Sequence, residues 1–367
     1  MSLKISWTEG PVYPALVKGV AVGVIDGRLM VAGGMSYPWR EVEYGFWLST
    51  EDTPEEAPSA VVPGEKIESP IGTWHPMPPM PQGPGWTSGA AVAGGLAVVG
   101  GRRRAVGNSA IADCWFLDVE SGATVWEKLP DRPSPAMVAT TIADGDNLYT
   151  AFGTDWHPHE HATGDPNIYR MNVRERGGWE IVTEFPGDPR WMGCMAICNG
   201  KLWIVGGRDL PLDGVKDRKP YNAYSSSSDT DALVTFRELW SYDFESGTWE
   251  ELAHPPRAFV TDGFTVDDRW IVLPGGNTSI VYPEGVSLRI EQYVQRLGFT
   301  AYSYEVWAYD TDTSEWSCLD PLPYGTCSHR VSTWGNHAYM VGNETMDEKR
   351  SNTFGTLFVG EFDTSED

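Results

Sequence analysis

The chain has 367 residues, 41% of them apolar, and carries 51 acidic against 27 basic side chains for a net charge of −24. That apolar content supports a packed core, whereas the charge repels phosphate backbones and sets nucleic acid aside as a partner. No run approaches the roughly 18 apolar residues of a membrane-spanning helix, which sets a membrane aside as well.

Five cysteines (Cys114, Cys194, Cys198, Cys318 and Cys327) form no CxxC pair and sit mostly in apolar strand-like runs. They read as reduced core residues. No secretory leader is legible at the N-terminus, so the chain reads as cytoplasmic as it stands, and as secreted or periplasmic if a leader has been removed. Forty Gly and 27 Pro mark frequent turns, and 17 Trp point to a repeat.

Taken in chain order, six apolar runs end in glycine: LMVAGG (29–34), LAVVGG (96–101), LYTAFG (148–153), LWIVGG (202–207), WIVLPGG (270–276) and AYMVGN (338–343). Tryptophans alternate with them at Trp7, Trp74, Trp126, Trp179, Trp249 and Trp316, spaced 67, 52, 53, 70 and 67 residues apart. The glycines step by 67, 52, 54, 69 and 66, so the two signals drift together and one unit recurs with loop insertions. Within each unit a strand of small and β-branched residues turns through DG, GG or NG into the glycine-ended strand, giving a hairpin. An aromatic-bearing third strand (LWSYD, VWAYD) and a Trp strand follow. Four antiparallel strands every 50–70 residues predict an all-β propeller. The C-terminal TLFVGEFD lacks a Trp strand and the N-terminal ISWTEGPVYP supplies one, so the termini are expected to pair and close a sixth blade, with residues 1–367 forming a single domain.

The glycine doublet, then an aromatic, then Trp seven residues on (Tyr242 to Trp249, Tyr309 to Trp316) resembles the Kelch repeat along essentially the whole chain. Blade 3 departs with a single Gly153, blade 6 with Gly342–Asn343, and blade 1 with a long acidic insertion.

In a four-stranded antiparallel blade, the loops after the second and fourth strands share one face, the mouth of the central channel. Function is expected there, on loops held by a rigid scaffold. The acidic segment 49–70 falls on the other face, and residues 287–299 have the apolar spacing of a short amphipathic helix at the mouth. The mouth loop TDWHPHEHATGD (154–165) offers three readings, one of them a merely exposed polar loop without function. His157, His159 and His161, with Asp155 or Glu160, carry the donor types of a divalent metal site; otherwise the loop is polar, makes substrate contacts, and the protein needs no cofactor. The Tyr-His ligand pair of the copper–radical oxidases built on related propellers does not occur.

Arg102, Arg103, Arg104, Arg190, Arg208, Arg257 and Arg330 also fall at the mouth, a cationic patch in an acidic chain and a fit to carboxylates. Trp39, Trp86, Trp156 and Trp191 could stack on sugar faces, and His329 stands beside Arg330. This mouth, with the turn PGDPR (186–190), resembles the six-bladed mutarotases that equilibrate sialic acid anomers. The resemblance implies a carbohydrate-binding propeller in which Arg190 or Arg257 binds the sugar carboxylate. Asp155, His157, Glu160, Asp209 or Glu344 would then supply the acid–base pair, since mutarotation needs only placed proton transfer. The ligand implied is a small anionic sugar or oligosaccharide. The alternatives are a metal-dependent glycan lyase or hydrolase centred on the histidine loop, and a non-catalytic propeller gripping a protein partner.

Overall fold

The computed structural model describes residues 2–36, 40–50, 73–103, 109–154, 164–209, 236–276, 302–346, 351–353 and 355–364. The acidic segment 51–72, the expected helix 287–299 and the histidine loop 155–163 lie outside them.

Six four-stranded antiparallel sheets form the blades of a β-propeller. Blade 1 runs Ala21–Ile25, Arg28–Ala32, Gly45–Ser49, Trp74–Pro76 from the channel outward. The other inner strands are Ser88–Val92, Thr140–Asp144, Cys194–Cys198, Phe264–Val266 and Arg330–Trp334, and each neighbours the next in cyclic order until the last meets the first. Blade 6 is completed from the far end of the chain. Lys4–Glu9 pairs antiparallel with Phe358–Asp363, from Lys4 opposite Asp363 to Glu9 opposite Phe358. A sheet edge that would otherwise present unpaired N–H and C=O groups is thereby closed. Deleting residues 2–9 is expected to reopen it, lowering the thermal midpoint and shifting the chain to larger species in size-exclusion chromatography.

The glycine pairs exist because blades touch there. In blades 1 to 5 the second residue of the turn donates its N–H to a carbonyl of the next blade: Gly34 to Pro84 (2.9 Å), Gly101 to Ala136 (2.7 Å), Gly153 to Arg190 (3.0 Å), Gly207 to Phe259 (2.7 Å) and Gly276 to Thr326 (2.8 Å). Reaching that carbonyl needs two successive left-handed residues, as at Gly206 (φ 59°) and Gly207 (φ 100°). Blade 3 keeps the conformation without the doublet, since Phe152 itself adopts φ 58°. Its buried ring packs edge-on against Phe185 at 5.3 Å, which offsets the strain.

Three of the repeat tryptophans stitch the rim in the opposite direction. Trp126 Nε1 donates to Pro78 O (2.8 Å), Trp179 Nε1 to Pro130 O (3.0 Å) and Trp249 Nε1 to Thr183 Oγ1 (3.0 Å), each on the preceding blade. Four of the five cysteines are buried free thiols as expected; Cys318 is exposed because it sits on an outer strand. Among the described residues no helix is long and apolar enough to cross a membrane.

Candidate functional site

The two sets of loops do converge. Val17–Lys18 pairs with Met35–Ser36, Arg190–Trp191 with Arg208–Asp209, and single bridges join Gly85 to Arg102, Met137 to Thr154 and Cys327 to Glu344. In each case the segment leading into an inner strand meets the residues just past the left-handed turn of the same blade. The lead-in itself is strained: Trp86, Val138, Met192 and Ser328, two residues before their strands, hold φ of 52°, 56°, 56° and 61°.

At the seam where blade 6 meets blade 1, Lys18 Nζ lies 2.5 Å from Glu344 Oε1, and the two side chains are 4% and 9% exposed. The Ser328 hydroxyl donates to Glu344 Oε2 at 2.9 Å, and Lys18 Nζ sits 5.0 Å over the Trp86 ring. Glu344 thus belongs to a buried ion pair, and Trp86 covers its cation. The neighbouring Cys327 thiol is pushed up to about 12 by burial and by the Glu344 charge, so it stays protonated.

Arg330 begins the inner strand of blade 6 and reaches across the channel. Its Nη2 donates to Ala139 O of blade 3, the opposite blade, at 3.2 Å, and its Nη1 stands 4.0 Å from Asp262 Oδ1 of blade 5. Burial raises the Asp262 carboxyl above its ordinary value, and the Arg330 charge offsets only part of the shift. The Arg330 Nε is buried with no hydrogen-bond partner among the described residues.

His329 beside it is 2% exposed, with Nε2 3.0 Å from Thr261 Oγ1. Thr261 directs its single hydroxyl proton to Pro274 O at 2.7 Å, so we assign the proton of the imidazole to Nε2. Nδ1 is then a bare acceptor, buried with no partner among the described residues. Burial, then the Arg330 charge, lower the imidazole from 6.5 to about 3. Because the unfolded chain binds this proton below pH 6.5 and the folded chain does not, stability from this group is complete above that pH and is lost as pH falls toward 3. The slope is on the order of 1 kcal/mol per pH unit. His329→Gln, which keeps a donor for Thr261, is expected to flatten the fall in urea midpoint between pH 6.5 and 4.5, where the shift operates.

The other arginines expected at the mouth turn inward. Arg190 is wholly buried, stacked between Phe185 (4.7 Å) and Phe236 (4.2 Å), and paired with Glu238 at 2.7 Å. Its Nη1 donates to Gly206 O at 2.8 Å, so no face is left for a sugar carboxylate. Arg257 does the same with Gly275 O (3.0 Å), stacked on Phe259 and 3.2 Å from Glu305. Burial lowers both guanidiniums, which nevertheless remain charged. Arg190, expected as an anchor, is corrected to a part of the frame, while Arg257 serves a turn carbonyl in the same way but keeps its Nη1 without a hydrogen-bond partner among the described residues. A buried backbone carbonyl in a left-handed turn requires a donor, and the arginines supply it. Arg208 is buried as well. Arg102 and Arg103 are partly exposed, Arg102 with its guanidinium 3.9 Å from Glu41 and 3.3 Å from Met35 Sδ, and Arg103 on Gln82 Oε1.

Trp191 is partly exposed on the blade 4 ladder. Asp155, His157, His159, Glu160, His161, Arg104, Trp39 and Trp156 lie outside the described residues, as does the side chain of Asp209. Among the described residues no three metal-ligating side chains cluster. The structure therefore joins Lys18, Trp86, Ser328 and Glu344 in one cluster, sets His329 and Arg330 next to Ser328 in the chain with Thr261, Ala139 and Asp262 as their partners, and encloses Arg190. Lys18 as the partner of Glu344, and Asp262 beside Arg330, carried no sequence signal, because only ring closure and blade adjacency bring them together.

No family model matches the chain. It is 24% identical over 240 residues to a Yersinia pestis protein named N-acetylneuraminate epimerase, covering 60% of this chain and 55% of that one. The Haemophilus influenzae protein of the same name is 22% identical over 232 residues, covering 59% and 55%. The chain thus spans about half the length of the curated relatives it matches. Among solved structures, that of YjhT superposes with a TM-score of 0.64 at 14% identity, covering 94% of this chain and 95% of that one. The chain is similar in fold to YjhT over nearly its whole length, and similar in sequence, over part of it, to proteins named N-acetylneuraminate epimerase.

Proposed function

We propose that the protein is a carbohydrate-binding propeller of the Kelch type that equilibrates the anomers of an acidic, sialic-acid-like sugar at the channel mouth. The observation that carries this reading is the recurrence of one name, N-acetylneuraminate epimerase, among its relatives from Yersinia, Haemophilus and Escherichia. The geometry is compatible with it in two respects. Arg330 offers a guanidinium with an unspent Nε at the channel neck, a fit for a carboxylate or a hydroxyl oxygen. Glu344, held by Lys18 and Ser328, is a carboxylate at the start of the blade 6 mouth hairpin.

Mutarotation of such a sugar opens and recloses the ring. A base removes the anomeric hydroxyl proton while an acid protonates the ring oxygen, and the ring recloses on the other face of the carbonyl. No bond beyond these is made or broken, so placement and proton transfer suffice.

The test is proton NMR of anomer exchange in N-acetylneuraminate with the protein as isolated and after chelation. Acceleration that survives chelation is the expected outcome. Acceleration lost on chelation would favour a metal site in the histidine loop, and no acceleration with any reducing sugar would sink the mutarotase reading in favour of a binding propeller.

A further inference from the structure

The mouth loops leave the blades in two ways. In blades 1, 2 and 6 the backbone continues as a hairpin: Met35–Ser36 pairs with Arg40–Glu41, Gly95–Arg103 with Ser109–Asp118, and Glu344–Met346 with Ser351–Thr353. Backbone bonds hold those loops at their roots. In blades 3, 4 and 5 the chain between the second and third strands is residues 152–166, 206–238 and 275–305; among the described residues the ends of the last two are joined by backbone bonds from Gly206 N–H to Glu238 O (3.0 Å), Phe236 N–H to Gly207 O (2.9 Å), Gly275 N–H to Glu305 O (2.8 Å) and Ser303 N–H to Gly276 O (2.9 Å).

In all three of these blades a guanidinium also holds the turn. Arg132 Nη2 donates to Phe152 O at 3.1 Å, Arg190 Nη1 to Gly206 O at 2.8 Å, and Arg257 Nη2 to Gly275 O at 3.0 Å. The acceptor is each time the first left-handed residue of the turn, with φ of 58°, 59° and 58°. The arginine is each time in the lead-in of the same blade and rests on an aromatic ring: Tyr169 at 5.5 Å, Phe185 at 4.7 Å, Phe259 at 4.7 Å. Stacking fixes the plane of the fork, and a charged donor makes the stronger kind of hydrogen bond. The turn carbonyl, and with it the direction in which the loop departs, is therefore set from beneath.

We propose that Arg132, Arg190 and Arg257 are positioning residues, one per blade, that lock the roots of the mouth loops of blades 3 to 5. What those loops hold rests on the proposed function; how they are held does not.

The two parts separate experimentally. Amide hydrogen exchange would be followed by mass spectrometry in the full chain, on peptides containing Phe152–Thr154, Gly206–Asp209 and Gly275–Gly276. The variants are Arg190→Met and Arg257→Met. The control is Arg269→Met, which removes an ion pair to Asp310 (2.6 Å) in the blade 5 hairpin away from the mouth. Exchange at the root is expected to rise roughly tenfold or more in the blade mutated and nowhere else, with Arg257→Lys restoring part of the protection. Binding of N-acetylneuraminate is expected to weaken in parallel, while the control leaves root and binding unchanged.

Root exchange that stays at the wild-type rate in both variants, or that rises equally in the control, overturns the proposal. So does a loosened root with wild-type affinity for a sugar that the parent binds. If the parent binds no sugar, the proposed function fails, and the exchange pattern alone decides the role of the arginines. Should Arg190→Met not fold, Arg257→Met carries the test, because its side chain is 18% exposed and its loss leaves no sealed cavity.

Discussion

Replacing Lys18 by Met is expected to cost about 3–5 kcal/mol of unfolding free energy, the range for removing one partner of a buried ion pair. The variant takes the ammonium at 2.5 Å away from the Glu344 carboxylate, which is 9% exposed and keeps the Ser328 hydroxyl. The loss falls at the seam between the first and last blades, 326 residues apart in sequence. Lys18→Met/Glu344→Met removes the buried carboxylate as well and is expected to recover most of the stability, because an apolar pair of similar volume avoids the desolvation cost. Guanidinium unfolding of the two single variants and the double variant gives the coupling energy. Additive single-variant losses would mean that the two groups do not stabilise one another.

Gly206→Ala is expected to cost about 3 kcal/mol or more, combining left-handed strain of about 1–2 kcal/mol with overpacking of about 1–3 kcal/mol. The added methyl would fall well inside van der Waals contact distance of the Phe259 carbonyl oxygen on the next blade, and the Gly207 N–H bond beside it would have to lengthen. Gly200→Ala supplies the comparison. That glycine has a similar φ of 69°, yet a Cβ there meets nothing within 4 Å. Its cost is therefore the conformational part alone, about 1–2 kcal/mol. The difference between the two thermal midpoints measures the close approach of blades 4 and 5. Equal midpoints would show that the doublet is kept for backbone freedom only.

The glycine and tryptophan signals were legible because each reports a contact that recurs at the same place in several blades. Gly34, Gly101, Gly207 and Gly276 recur because each donates to the next blade, and Trp126, Trp179 and Trp249 because each reaches back to the preceding one. The pairing of Lys4–Glu9 with Phe358–Asp363 was legible from the missing Trp strand at one end and the surplus strand at the other. Phe152 was legible only as an absent glycine; that it takes the left-handed turn itself depends on Phe185 being there to pack against it.

The candidate site was read less fully, and the arginines show why. A guanidinium that binds a sugar carboxylate and one that binds a buried carbonyl present the same fork and the same loop position in sequence. Only the tertiary structure separates them, by putting Phe185 and Phe236 on the two faces of Arg190 and Gly206 O at its end, while Arg330 crosses the channel to Ala139. The sequence by itself determined the blade, its number and its closure, because strand periodicity and turn glycines are local and repeat. The tertiary structure alone decided which charges face the channel. Burial and pairing depend on groups brought together from distant blades, as Lys18 and Glu344 are by the ring's closing on itself.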